Sequence, residues 1–62
     1  MSLESGDMFS TDNGQPHAQR CILVLLVKER GMWRTFNLTK ERYELGDTEE
    51  AFLNPKYYKR LA

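Results

Sequence analysis

The chain has 62 residues, 40% of them hydrophobic, with nine Lys and Arg balanced by nine Asp and Glu. That length excludes more than one small domain, and the zero net charge excludes a protein that works by bulk attraction to nucleic acid or an anionic membrane. A lone cysteine, Cys21, excludes an internal disulfide, and with His17 as the only histidine no Cys/His group has metal-ligand spacing.

A chain this small buries only about 60% of the surface its unfolded form exposes. Its core alone supplies roughly 3–5 kcal/mol. Oligomerisation or partner binding is then the expected source of added stability.

Residues 1–19 are rich in Gly, Ser, Asp, Asn and Pro and carry no apolar period. They read as a flexible N-terminal tail with one apolar spot, Met8-Phe9, which leaves a domain over 20–62. The next segment is the most informative. From Cys21 to Val27 seven apolar residues stand in a row. A strand points side chains alternately to its two faces, so an unbroken run asks for burial on both. The strand is placed at 20–28. One face, Ile22, Val24 and Leu26, is expected to pack on Phe52, Tyr58 and Leu61. The other, Leu23, Leu25 and Val27, has no cover in so short a chain.

Gly31 supplies the positive φ that a hairpin turn needs. A second strand follows at 32–38. Met32, Phe36 and Leu38 share one face with Arg34, while Trp33, Thr35 and Asn37 share the other. Beyond the hairpin, Thr39 can cap a helix of under two turns that Gly46 stops. The competing reading of 39–46 is a third strand with Tyr43 and Leu45 inward. Asp47 and Glu50 have the spacing of a capping box for a second helical segment. Asn54-Pro55 interrupts it and restarts a last amphipathic turn or two, with Tyr58 and Leu61 inward. The fold class expected is α+β: an antiparallel hairpin followed by one or two short C-terminal helices, as a dimer or bound to a partner.

Catalysis finds little support. His17 sits in the tail, and Cys21 opens a strand with no base nearby. The carboxylate pairs Glu41/Glu44 and Asp47/Glu50 are explained by solvation and capping. No phosphate loop or hydrolase motif is present. Neither a cofactor nor a small-molecule substrate is implied.

The reading is a non-catalytic interaction or regulatory protein, such as an inhibitor of a larger enzyme. It binds a protein partner or itself through Leu23, Leu25, Val27, Trp33 and Phe36. The alternative is a small nucleic-acid-binding regulator that uses Arg30, Arg34, Arg42, Lys56, Lys59 and Arg60, with Trp33 stacking on a base. No basic start precedes an apolar stretch, and the apolar run is far shorter than a bilayer span, so a cytoplasmic location without membrane contact is expected.

Overall fold

The computed structural model describes residues 2–11 and 20–61. Its strands are β1 (Met8–Ser10), β2 (Ile22–Glu29), β3 (Met32–Asn37), β4 (Arg42–Thr48) and β5 (Lys59–Arg60), and a short helix α1 (Glu49–Phe52) lies between the last two. The strands form one sheet in the order β4-β3-β2-β1-β5, with every pairing antiparallel. Half of the described residues are strand and only 8% are helix, so the fold is mostly β rather than α+β with C-terminal helices.

The hairpin forms where expected. Glu29 faces Met32 across a two-residue turn, and both turn residues, Arg30 (φ 51°) and Gly31 (φ 79°), have positive φ. Those values are the signature of the turn type that matches strand twist. The next segment takes the strand alternative. Thr39 does not cap a helix; its Oγ1 accepts a hydrogen bond from the Ile22 amide. Asn37 Oδ1 accepts from the Lys40 amide and closes the loop into β4. Gly46 is no helix stop either. It lies in β4, where a Cβ would stand 2.6 Å from the Trp33 carbonyl oxygen and 2.7 Å from Thr35 Cγ2.

Helix α1 is capped one residue later than expected, by Thr48, whose Oγ1 accepts from the Ala51 amide. The last segment makes one turn and no helix. Asn54 Oδ1 takes the Lys56 amide, and the Asn54 carbonyl takes the amides of Tyr57 and Tyr58. The chain then extends into β5 and pairs with β1.

The N-terminal residues depart furthest from the tail expected for 1–19. β1 sits inside the sheet, between β2 and β5, and Leu3 and Phe9 are buried. Gly6 and Asp7 bond the main chain of Leu25. The rest of that expected tail, residues 12–19 with His17, lies outside the described residues.

The path from β4 to β5 crosses from one end of the sheet to the other, carrying Phe52 and Tyr58 over one face. Phe52 stacks on Phe9 (5.1 Å between centroids) and on Tyr58 (4.4 Å). Leu3, Cys21, Leu23, Leu25 and Trp33 complete this core. No helix among the described residues is long and apolar enough to cross a membrane.

Candidate functional site

Sheet register decides which residues meet the core. Leu23 lies opposite Phe9 and Asn37, and Leu25 opposite Thr35. These residues point toward Phe52 and Tyr58. The assignment of faces read from sequence is therefore inverted. Leu23 (5% exposed), Leu25 (0%) and Trp33 (5%), expected at a partner interface, line the core instead. Ile22, Val24 and Leu26, expected beneath the aromatic residues, stand on the other side.

A register shift between Leu25 and Val27 adds a second departure. Such a bulge reverses the parity of a strand. Val27 thus joins Arg34 on the far face, and Lys28 falls on the core side opposite Trp33, within 3.6 Å of Glu49.

That far face has no cover among the described residues. One cross-strand row runs Met8, Val24, Phe36, Tyr43 through four adjacent strands. Beside it lie Leu26, Val27 and Leu45, which line a shallow groove with Arg34 and Tyr43. Tyr43 is 77% exposed, Leu45 62% and Val27 47%. Phe36 is half-buried and meets Tyr43 edge-on at 4.8 Å. Of the five interface residues read from sequence, only Val27 and Phe36 lie here. Tyr43 and Leu45 were missed because they were placed inward. Their alternation with Arg42 and Glu44 was the available signal.

The polar groups mostly reinforce the core side. Thr35 Oγ1 donates to the Glu44 carbonyl, and Asn37 Nδ2 donates to Glu44 Oε1 at 3.1 Å. Arg42 Nε reaches Glu44 Oε2 at 2.7 Å. The bonds from Asn37 and then Arg42 hold the Glu44 carboxyl below its ordinary value. Glu49 is lowered chiefly by the Leu3 amide, which donates to its Oε1 at 2.6 Å, with Lys28 adding to the effect. Burial, followed by the nearby Asp47 carboxylate, pushes the Tyr58 phenol up to about 12. Trp33 Nε1 is buried without a hydrogen-bond partner.

The candidate nucleic-acid contacts do not gather into one patch. Arg30, Arg34 and Arg42 lie at the β3–β4 end of the sheet, and Lys56, Lys59 and Arg60 at the β5 end. Four strand spacings separate β4 from β5, about 19 Å. Arg34 is held by Glu29, Arg42 by Glu44 and Arg60 by Asp7. Among the described residues no group of three or more His, Cys, Asp or Glu could hold a metal ion.

Comparison of the chain with protein-family models, with curated proteins and with solved structures finds no match.

Proposed function

We propose that the chain is a non-catalytic protein-binding module, and that its contact surface is the uncovered sheet face. The observation that carries this reading is the apolar row Met8, Val24, Phe36, Tyr43 with Val27 and Leu45 beside it. Antiparallel sheets that face water on one side normally alternate apolar inward and polar outward. β2 does not alternate. Covering a large apolar side chain gains about 1.5–3 kcal/mol. Burying Val27, Tyr43 and Leu45 under a partner would therefore rival the stability a core of this size provides. In this reading the chain regulates or inhibits the larger protein whose surface it covers.

The test is capture from cell extract on immobilised chain, comparing wild type with Leu45→Lys at low and high salt. A protein held through the open face stays bound at high salt and is lost from the variant, while both chains melt alike. Identical capture by the two chains contradicts the reading. Nucleic acid released by salt would favour the alternative, since phosphate contacts weaken steeply as salt rises.

A further inference from the structure

We propose that the free edge of β4 pairs with the same edge of a second copy, giving a two-fold dimer centred on Tyr43. The proposal rests on the reading above only for the role of the shared face; the pairing itself stands on the edge.

Successive residues of an antiparallel strand bond alternately to the neighbours on either side. The bonds of β2 fix that alternation. The Cys21 carbonyl accepts from Thr11, and Leu25 bonds Asp7 and Gly6, so odd residues there face β1. The Ile22 carbonyl accepts from the Leu38 amide, so even residues face β3. Val24 lies opposite Phe36, whose main chain therefore faces β2. Thr35 and Asn37 then face β4, bonding Glu44 and Arg42, their register partners. Tyr43 and Leu45 are left with amide and carbonyl pointing away from the sheet. Among the described strands β4 pairs with β3 alone. An exposed strand edge of this kind is a template for another strand.

The side chains of β4 select the occupant and the register. Centred on Tyr43, two antiparallel copies set each Arg42 opposite Glu44 of the other copy. The existing Arg42–Glu44 pair becomes a ring of four alternating charges. Opposite charges across strands stabilise, and like charges directly opposite do the reverse. A centre on Glu44 would set the two Glu44 carboxylates face to face. A centre on Leu45 would run into the register shift between Leu45 and Thr48. The Tyr43 register alone avoids both, and it extends the aromatic row as Phe36, Tyr43, Tyr43, Phe36 across the two copies.

At the opposite edge, β5 consists of Lys59 and Arg60. Two copies meeting there would set cation against cation. The sheet therefore closes as a dimer and does not grow into a fibre. The open faces of the two copies then form one surface twice as wide.

Sedimentation equilibrium on the full chain across a dilution series tests the pairing. The wild type is expected to show a monomer–dimer equilibrium. Arg42→Glu alone and Glu44→Arg alone each weaken it at least tenfold. An equimolar mixture of the two variants restores a one-to-one heterodimer, because the acidic edge of the first then faces the basic edge of the second at both positions. Tyr43→Pro removes an amide that faces solvent in the monomer, so the chain still folds, with melting lowered modestly by loss of the Phe36 ring contact, and the dimer is abolished. A wild type that stays monomeric throughout overturns the pairing, as does a folded Tyr43→Pro chain that dimerises like wild type. Either result leaves the capture experiment with Leu45→Lys as the separate judge of the open face.

Discussion

The two faces of this sheet are built from the same apolar run and meet opposite fates. On one, Leu23 and Leu25 lie beside Phe9 and Trp33 in the core that Phe52 roofs. On the other, Val27, Tyr43 and Leu45 stand exposed, with Val24 and Phe36 half-buried beside them. Hydrophobicity does not separate them. The crossover from β4 to β5 does, because so short a connection can roof only one side of a sheet. In a small chain a buried strand face is a matter of stability, and its exposed twin is the surface proposed to meet a partner.

Substitution on the two faces should separate them sharply. Phe9→Ala removes the ring that Phe52 and Tyr58 pack against and should cost about 3–5 kcal/mol, enough to unfold a core of this size. Circular dichroism at 25 °C would show the loss. Leu3→Ala, at the N-terminal side of the same core, should cost about 2–3 kcal/mol in urea titration. A change near zero would mean that residues 2–7 add nothing to the covered face. Gly46→Ala should cost about 1–3 kcal/mol, because its methyl would be driven into the Trp33 carbonyl and Thr35.

Acid should act on the covered side next. Glu44 and Glu49 have folded-state pKa values below the ordinary 4.5. The stability they contribute is therefore present above that value and is lost as pH falls through the lower folded values. A melting temperature that falls from pH 5 to pH 3, and falls less in Glu49→Gln, is the expected pattern. The smallest effect belongs to the open face. Leu45→Lys should change folding stability by less than about 0.5 kcal/mol and raise solubility. A loss of several kcal/mol would show that this face is packed after all.

The sequence made the hairpin legible, since a continuous β-branched and aliphatic run, Gly31 and an alternating second strand all agree. It placed the uncovered face of β2 on Leu23, Leu25 and Val27, whereas Leu23 and Leu25 are buried and the opposite face carries half-buried Ile22, Val24 and Leu26 with exposed Val27. The true assignment was hidden from view, for two physical reasons. Parity in a strand depends on bulges, and nothing in Leu25-Leu26-Val27 announces one. The choice of roof depends on β1, and Met8-Phe9-Ser10 is too short and too polar in its surroundings to read as a strand. Its stability comes from pairing on both sides, with β2 and β5, which no local pattern encodes.

The C-terminal helices failed for a related reason. Asn54-Pro55 satisfies the local rules for a helix start, yet after a single turn the chain gains more by pairing Lys59–Arg60 with β1 than by extending the helix. In 42–48 the period-two alternation was present, but the helix cap at Thr39 competed with it. The hydrogen bond from the Ile22 amide to Thr39 Oγ1 and the close seat of Gly46 under Trp33 decide the matter for the strand. For the candidate site, the polar partners of Tyr43 and Leu45 along β4 were visible, and their outward direction was not.

Methyl NMR of the isolated chain with a soluble paramagnetic relaxation agent tests the difference between the faces most directly. Val27 and Leu45 methyls should broaden strongly while those of Leu23 and Leu25 stay sharp. Leu25 broadening as fast as Leu45, or Leu45 staying as protected as Leu25, would contradict a sheet with one roofed face and one bare one.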